Sequence, residues 1–400
     1  MNNEIRNESQ ALPESIRCVG ADDLTLSLFE NQYPVQPMGV SYNSYLILDE
    51  KIAVMDSVDA RAADEWLAKL AHELDGRSPD YLVISHMEPD HSGSILRLAE
   101  KYQEMKLVGN TKTFTMLRQF FGAKAPTDDR LLEVGEGETL PLGAHTLHFM
   151  LAPMVHWPEV MVAYEETEKI LFSADAFGRF GVLSRTAAAP WAPQARRYYY
   201  NIVGKYGAQV QALLKKASAL EIKTVCPLHG PVLTGGALAE ALRLYDLWSR
   251  WQSEAPEEIL LAHASIHGNT ARAAELLKQK LEAKGARVTL CDLTTTEVSY
   301  AVANAFYCGK LVLACSTYDG GLFPPMEEFL SHLQAKGFRD RSVGLMENGS
   351  WAPAAARLMR AKLEEMKDLR VCGTVVSLRS ALSPASEAQM EALTTELCAE

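Results

Sequence analysis

The stretch SHMEPDHSGS, residues 85 to 94, places four side chains that can bind protons or metals within six positions: His86, Glu88, Asp90 and His91. The apolar segment DYLVIS comes directly before them, so the cluster follows the carboxyl end of a predicted strand. Pro89 favours an extended Glu88, because the α region is disfavoured before proline. Alternate residues of an extended segment face one side, which predicts a shared target for His86, Glu88 and Asp90.

Three further segments repeat this arrangement, with a candidate ligand after an apolar strand and beside turn residues. LAPMVHWPEV contains His156, ILFSADAFG contains Asp175, and TVCPLHGPV contains His229. Functional residues in strand-based proteins concentrate at such positions. A set of histidines and carboxylates at four strand ends therefore predicts a metal site rather than a charged surface loop.

Two segments with different patterns must position these residues. A chain of 400 residues is too long for one hydrophobic core, which predicts two domains. Residues 1–253 alternate short strands, turns and helices, with hairpins predicted at 44–56 and 160–175. The polar stretch SEAPEE at 253–258 indicates a linker to a second domain at 254–400. Helices in the first domain are predicted from apolar spacing at 61–74, 93–102, 112–121, 193–217 and 236–252.

The second domain has regular strand–helix alternation. Each predicted strand is followed by ten or more residues with helical spacing, which indicates a parallel sheet covered on both faces. The strands are predicted at 258–264, 287–293, 310–316, 341–347 and 370–378.

Three loops of the second domain carry small and hydroxyl-bearing residues. The loop SIHGNT (265–270) follows the first strand and precedes a helix, so backbone N–H groups and the helix N-terminus can hold an anion. STYDGG (316–321) and ENGSWAP (347–353) follow the third and fourth strands and add aromatic rings for a flat ligand. Ordinary strand–helix turns are the alternative. This set is similar to the FMN site of flavodoxins. The candidate contacts are Ser265, His267, Gly268, Asn269, Thr270, Ser316, Thr317, Tyr318, Asp319, Gly320, Asn348, Gly349, Ser350 and Trp351.

The pattern H-x-E-x-D-H…H…D…H resembles the metallo-β-lactamase superfamily, with one departure. Hydrolases of that superfamily usually have H-x-H-x-D-H and hold zinc, whereas Glu88 supplies an anionic oxygen that suits iron. This variant resembles the flavodiiron proteins (A-type flavoproteins) over nearly the whole chain. The resemblance implies an α/β protein, with a metallo-β-lactamase-like αββα diiron domain (1–253) followed by a flavodoxin-like, doubly wound FMN domain (254–400).

The resemblance also implies roles for individual residues. His86, Glu88 and His156 would bind one iron, and Asp90, His91 and His229 the other, with Asp175 bridging the two. The run RRYYYNIVGKY (196–206) also resembles the family, and Tyr198 is a candidate hydrogen-bond donor at the site, with core packing as the alternative.

The implied function is a flavodiiron reductase that reduces dioxygen to water, nitric oxide to nitrous oxide, or both. Its cofactors would be FMN and two iron ions. No paired C-x-x-C motif is present, so electrons would come from a separate donor such as a rubredoxin or a flavin reductase. A head-to-tail homodimer, with the flavin of one chain facing the diiron site of its partner, would bring the cofactors together.

Two other functions remain open on the sequence. One is a metal-dependent hydrolase with a fused flavin domain, acting through metal-bound hydroxide. The other is an electron carrier whose metal site is only structural, although such sites are usually closed by cysteine and histidine.

Composition limits the remaining classes of function. The net charge of −12 disfavours nucleic-acid binding. The polar N-terminus lacks a signal-peptide core and no long apolar run follows, which predicts a cytoplasmic protein without a membrane span. The odd count of seven cysteines argues against a disulfide framework.

Overall fold

The computed structural model describes residues 12–187 and 189–399. The chain divides between Asp246 and Leu247 into two compact units. Within the described residues, none of the helices combines the length and apolar character that a membrane span needs.

Strands β1 to β16 belong to the first unit. Their bounds are β1 (Ile16–Cys18), β2 (Ala21–Asp23), β3 (Leu28–Phe29), β4 (Tyr33–Pro34), β5 (Val40–Tyr42), β6 (Tyr45–Ile47), β7 (Ala53–Met55), β8 (Tyr81–Val83), β9 (Lys106–Gly109), β10 (Leu131–Glu133), β11 (Thr139–Pro141), β12 (Thr146–Leu151), β13 (Met161–Glu165), β14 (Ile170–Phe172), β15 (Thr224–Cys226) and β16 (Leu233–Thr234).

These strands form two six-stranded sheets, with the orders β1-β6-β7-β8-β9-β10 and β11-β12-β13-β14-β15-β16. One hydrophobic cluster contains side chains of both sheets, such as Met55 and Val83 from the first and Phe149 and Phe172 from the second. The sheets therefore pack face to face. The two predicted hairpins are confirmed, because β6 pairs with β7 and β13 with β14, both antiparallel.

The α-helices of the first unit are amphipathic where they are long. The first of them buries Ala63, Trp66, Leu70 and Leu74, at the spacing of three and four that one helix face requires. Their bounds are α1 (Ala63–Leu74), α2 (Pro89–Ser92), α3 (Ile95–Lys101), α4 (Thr111–Phe121), α5 (Leu183–Thr186), α6 (Trp191–Tyr198), α7 (Gly207–Ala217) and α8 (Gly235–Ser249). The last residues of α8 lie past the division between the units.

The single helix predicted at 193–217 is wrong in one respect. Helix α6 ends at Tyr198, a π-helical segment covers Tyr199–Val203, a 3₁₀ turn covers Gly204–Tyr206, and α7 begins at Gly207. Tyr198, Tyr199 and Tyr200 are all fully buried. Three consecutive residues of a regular α-helix point about 100° apart and do not share one face, so burial of all three favours a local change of helical period.

The second unit has the predicted strand–helix alternation. Its strands are β17 (Ala255–Ala264), β18 (Arg287–Asp292), β19 (Cys308–Tyr318), β20 (Gly321–Leu322), β21 (Arg341–Asn348) and β22 (Leu369–Leu378). Its helices are α9 (Asn269–Ala283), α10 (Val298–Tyr307), α11 (Pro324–Ala335), α12 (Ala355–Glu364) and α13 (Pro384–Cys398).

The main sheet of this unit has the order β18-β17-β19-β21-β22, and all four pairings are parallel. This is a doubly wound sheet whose order reverses between β17 and β19, as the resemblance implied. Strand β17 begins at Ala255, so most of the segment predicted as a linker at 253–258 is strand.

Candidate functional site

The candidate ligands of the first unit lie beyond the carboxyl ends of strands. His86 and Glu88 follow β8, His156 follows β12, Asp175 follows β14, His229 follows β15, and Asp90 and His91 lie on α2. The strand ends bring residues that are distant along the chain to one edge of the packed sheets.

The extended conformation predicted for Glu88 is confirmed, with φ −59° and ψ 141°. The extended run stops there, because Pro89 is the first residue of α2. The alternation argument, which gave His86, Glu88 and Asp90 a common target, is therefore wrong for Asp90. Its carboxylate lies instead beside the ring nitrogen of His229, with 3.3 Å between Oδ2 and Nε2.

One group of donor atoms is formed by His86, Glu88, His156 and Asp175. Glu88 Oε2 lies 3.2 Å from Nε2 of both His86 and His156. Asp175 Oδ2 lies 3.4 Å from His86 Nε2 and 3.0 Å from His156 Nε2. Two nitrogens and two carboxylate oxygens thus face a common point.

A second group is formed by Asp90, His91 and His229. Asp90 Oδ2 lies 3.3 Å from Nε2 of both histidines. The two Nε2 atoms are only 3.1 Å apart. Close approach of two imidazole nitrogens is stabilised when both donate their lone pairs to one cation.

Asp175 lies between the two groups. Its Oδ2 faces the first group, whereas its Oδ1 lies 3.2 Å from His91 Nε2 and 3.6 Å from His229 Nε2. One carboxylate thus presents one oxygen to each group, which is the geometry of a bridging ligand.

The residues fit a pair of bound cations. Both carboxylate oxygens of Asp90, Oδ1 of Asp175 and Nδ1 of His91 are buried and have no hydrogen-bond partner among the described residues. Buried polar atoms normally have partners, because an unmet buried acceptor destabilises the fold by about 1–3 kcal/mol. Metal coordination satisfies carboxylate acceptors of this kind.

Hydrogen bonds on the far side of two rings orient their Nε2 atoms. His86 Nδ1 donates to Glu159 Oε1 at 2.7 Å, and His229 Nδ1 donates to the carbonyl of Ser41 at 2.7 Å. Glu159 Oε1 also accepts from the Met87 backbone N–H at 2.9 Å. A ring that donates through Nδ1 keeps the Nε2 lone pair for a metal.

The carboxylates and histidines shift each other's proton affinities. Burial alone would raise the pKa of Glu88 and of Asp175, but the neighbouring histidines hold the pKa of both carboxyls below their usual range. Burial alone would lower the pKa of His86 and His156, but the carboxylates raise the first well above its usual value and the second to about 9. The carboxylates of this site therefore stabilise positive charge among the donor atoms.

The backbone around Asp175 is constrained. Ala174 has φ 51° and Phe177 has φ 69°, both in the left-handed region. Such conformations destabilise non-glycine residues by about 1–3 kcal/mol each and concentrate at functional sites. The surrounding core holds Asp175 between the two groups of donors against this strain.

Tyr198 lies beside the second group of donors. Its ring centroid is 5.5 Å from that of His229, and its hydroxyl is buried without a hydrogen-bond partner among the described residues. Burial raises the pKa of this phenol well above its usual value, and the charges of Asp175 and Asp90 raise it further. The phenol is therefore a protonated donor. Its ring also packs at 5.2 Å from Phe180.

The second unit contains a pocket of about 500 Å³, within the range of small-molecule sites. Its lining includes all the residues predicted in the three loops except Gly268, and adds three others. The lining residues are Ser265, Ile266, His267, Asn269, Thr270, Ser316, Thr317, Tyr318, Asp319, Gly320, Asn348, Gly349, Ser350, Trp351, Ala352 and Ser380.

The pocket is built on the N-terminus of α9. Gly268 has φ 83°, which lets the chain turn from the loop into the helix at Asn269, and its N–H donates to Ser265 Oγ at 3.1 Å. Thr270 Oγ1 lies 2.8 Å from Ser316 Oγ, which joins the first loop to the second. The helix N-terminus favours an anion such as a phosphate at this end of the pocket.

The other end of the pocket carries exposed aromatic rings. Tyr318 is 44% exposed and Trp351 is 89% exposed, so both rings are open to a flat ligand. Asn348 holds the loops together, because its amide donates to Thr270 Oγ1 at 3.3 Å and to the Ser380 carbonyl at 3.1 Å.

Sequence reasoning missed Glu159 at the metal site and Ser380 at the pocket. Glu159 is three residues after His156, in HWPEV. It was missed because the sequence does not show that its side chain is buried. Ser380 follows β22 and reaches the pocket only through the sheet order. In the sequence, Ser380 is marked only by being a hydroxyl-bearing residue after the fifth strand, and such residues are too common to identify a pocket residue.

Comparison with known proteins agrees with this architecture. A family model described as ODP family beta lactamase matches residues 40–230. The nitric oxide reductase of Moorella thermoacetica is 26% identical, with 89% of this chain and 90% of the relative covered. The flavo-diiron protein FprA2 of Clostridium acetobutylicum is also 26% identical, with the same coverage. The solved structure of rubredoxin oxygen:oxidoreductase from the anaerobe Desulfovibrio gigas superposes with a TM-score of 0.90 at 25% identity, covering 97% of both chains.

Two packed sheets with metal donors at their strand ends, followed by a doubly wound sheet with an anion pocket, define a metallo-β-lactamase-like domain and a flavodoxin-like domain in one chain. The chain is similar to flavo-diiron proteins and to rubredoxin oxygen:oxidoreductase over most of its length. The names of these relatives describe oxidoreductases and a flavo-diiron protein.

Proposed function

We propose that this protein reduces dioxygen to water, nitric oxide to nitrous oxide, or both, at a diiron centre that receives electrons from FMN. The observation that carries the proposal is Asp175, whose two oxygens each face a separate group of nitrogen and oxygen donors. A hydrolase would be favoured by a neutral nitrogen at position 88, where this chain has the carboxylate of Glu88.

In this proposal, His86, Glu88 and His156 hold one iron, Asp90, His91 and His229 hold the second, and Asp175 bridges them. Together, two irons and one FMN can store up to four electrons and release them to a bound gas molecule. Glu159 and the Ser41 carbonyl keep the rings of His86 and His229 in the tautomer that binds metal.

Tyr198 is proposed to act on the bound gas. Its hydroxyl is protonated and without an internal partner, so it can donate a hydrogen bond to an oxygen atom held near His229. A donor that is already in place stabilises developing negative charge without reorganisation.

In the second unit, the loop 265–270 and the N-terminus of α9 are proposed to hold the FMN phosphate. Tyr318 and Trp351 would lie against the flavin ring. Asn348 and Thr270, which already bond to each other, would keep the loops at the spacing the flavin needs.

The electron donor is proposed to be a separate protein, either a rubredoxin or a flavin reductase. We also propose a head-to-tail homodimer, in which the flavin of one chain delivers electrons to the diiron site of its partner. A location in the cytoplasm stays a prediction.

Metal analysis and gas consumption test the proposal directly. Protein purified without oxygen should contain iron well above zinc, and it should consume dioxygen, nitric oxide or both when supplied with a reduced donor. Stoichiometric zinc in protein made with ample iron, together with hydrolysis of an ester or phosphodiester, would support the hydrolase function instead.

Mixed dimers test the electron path between chains. One chain loses FMN through changes in loop 265–270, and the other loses iron through Glu88→Ala and Asp90→Ala. Mixed dimers should regain one working flavin–iron pair. If they form but stay inactive, while a chain altered at both sites works with the wild-type chain as partner, transfer occurs within one chain.

A further inference from the structure

A cluster of oxidisable aromatic side chains begins beside the candidate diiron site in the first unit and ends at Trp191. Its members are Tyr198, Tyr199, Tyr245 and Trp191, which we name the aromatic relay. The three tyrosines are fully buried, and Trp191 is 9% exposed. The roles proposed above use only the hydroxyl of Tyr198.

Ring distances connect the members of the relay. Tyr198 lies 5.5 Å from the His229 ring, Tyr199 lies 5.0 Å from Tyr245, and Tyr245 lies 6.4 Å from Trp191, all between centroids. Tyr198 and Tyr199 are consecutive, so their Cα atoms are about 3.8 Å apart. Electron transfer falls steeply with distance. Ring contacts join His229 to Tyr198 and join Tyr199 to Trp191 through Tyr245, whereas Tyr198 and Tyr199 are coupled through the backbone that connects them.

The relay also approaches the bridging carboxylate from a second side. Phe177, two residues after Asp175, stacks on Tyr245 at 4.2 Å, and its backbone N–H donates to the Tyr245 hydroxyl at 2.6 Å. After burial, the Asp175 charge raises the pKa of both Tyr198 and Tyr245. Both phenols are therefore within electrostatic reach of Asp175.

Two features distinguish the relay from ordinary core packing. The π-helical segment Tyr199–Val203 interrupts the helix beside Tyr198, and such segments are frequent at functional sites. The Tyr198 hydroxyl is buried without a partner among the described residues, whereas a phenylalanine would fill the same space without that penalty.

We propose that the aromatic relay supplies electrons to the diiron site when dioxygen arrives and the flavin is oxidised. The inference rests on the proposed function, because dioxygen is the oxidant. Two irons alone supply two electrons, which with two protons take dioxygen only to hydrogen peroxide.

The relay provides the two electrons and two protons that are still required for water. Each of two tyrosines is oxidised to a neutral tyrosyl radical, losing one electron and its phenolic proton, and the O–O bond of the peroxide breaks to give two water molecules. A small thiol in solution then reduces the relay through Trp191. Two thiols lose one electron and one proton each and form one disulfide, which restores both tyrosines.

Rapid-freeze electron paramagnetic resonance of the iron-loaded, FMN-loaded protein tests this proposal. Protein that holds ferrous iron and oxidised FMN is mixed with excess dioxygen and no further reductant, and iron oxidation is followed by absorbance in the same mixture. Ring-deuterated tyrosine separates a tyrosyl signal, which narrows, from a flavin signal, which does not. We expect a tyrosyl signal in the wild-type protein that added thiol removes.

Substitutions identify the residues. Tyr198→Phe should abolish the signal, and Trp191→Phe should prolong it in the presence of thiol. Tyr164→Phe is the matched control, because it removes the hydroxyl of another buried tyrosine, one that donates to the Glu221 carbonyl outside the relay. If Tyr198→Phe fails to hold iron, Tyr245→Phe tests the relay from the second side and should also reduce the signal.

The outcomes separate the two proposals. If dioxygen leaves the irons reduced, the proposed oxygen reduction fails, and the relay fails with it. If the irons are oxidised but tyrosine deuteration changes nothing, only the relay is overturned. A radical lost in Trp157→Phe, whose ring lies 5.2 Å from His86, but kept in Tyr198→Phe and Tyr245→Phe, also overturns it.

Discussion

Glu159 shows how much a single residue outside the candidate ligand set can control. Its carboxylate is fully buried and accepts from His86 Nδ1 and from the Met87 backbone, so it holds the ring in one orientation. The metal site therefore depends on a side chain that is not itself a proposed ligand.

Glu159→Ala should lower iron affinity by about 10- to 100-fold, the usual effect of removing such a partner. The measurement is iron binding by anaerobic titration. Glu166→Ala is the control, because Glu166 accepts from His148 Nε2 at 2.7 Å at the surface, away from the candidate ligands. Equal affinities in the two variants would exclude a role for Glu159.

Glu88→His should change the preferred metal from iron towards zinc, since it replaces an anionic oxygen by a neutral nitrogen. Metal content after growth with both metals measures this, and gas reduction should be lost while FMN is retained. The control is Glu104→His, at an exposed position of the same unit. Unchanged iron content in Glu88→His would show that Glu88 is not a ligand.

At this scale the residue pattern gave the seven candidate ligands and the family resemblance gave their division into two groups, whereas the alternation argument alone placed Asp90 in the wrong group. Pro89 has two effects on its neighbours. It keeps Glu88 extended and it begins helix α2, and the helix decides the direction of the Asp90 side chain. Glu159 was missed because its importance depends on burial against His86, a contact across more than 70 residues.

At the scale of elements, helix α9 connects backbone geometry to the proposed flavin binding. Gly268 precedes the helix with φ 83°, and Gly285 follows it with φ 88°. A Cβ at either position would contact nothing within 4 Å. The two glycines are therefore a matched pair, of which only Gly268 lies in a loop that lines the pocket.

Gly268→Ala and Gly285→Ala should each destabilise the protein by about 1–2 kcal/mol, because alanine is strained in the left-handed region. Only Gly268→Ala should also weaken FMN binding, by roughly the 1.5–3 kcal/mol of one hydrogen bond to a charged group. Denaturant unfolding and flavin fluorescence measure the two effects. Equal FMN affinity in both variants would mean that the loop 265–270 does not hold the phosphate.

The elements of the second unit were predictable because each strand and helix follows its own local pattern. The helix predicted at 193–217 failed because apolar spacing continues through the π-helical segment, and the buried tyrosines that disturb the helix pack against residues such as Tyr245, far along the chain.

At the scale of the whole molecule, each candidate cofactor site lies within one unit. The cluster between the two packed sheets belongs to the first unit, and the cluster around β17, β19 and α9 belongs to the second. A ligand stabilises the unit that binds it, by about 2.7 kcal/mol at a concentration of 100 times its Kd.

Calorimetry of the protein without cofactors should therefore show that iron raises the melting temperature of one transition and FMN that of another. Glu88→Ala should remove the response to iron alone, and Gly268→Ala should reduce the response to FMN alone. A single transition that responds equally to both cofactors would contradict independent binding.

The distance along the chain between the candidate ligands has a consequence for synthesis. The segment 86–91 carries four of the donors, whereas His229 comes roughly 140 residues later. At a synthesis rate of about 5–20 residues per second, the early donors are exposed for about 7–30 s before the last one exists. During that interval the partial set can capture whichever divalent metal is free. We therefore expect metal identity in the cell to depend on supply during translation as well as on the affinity of the finished site.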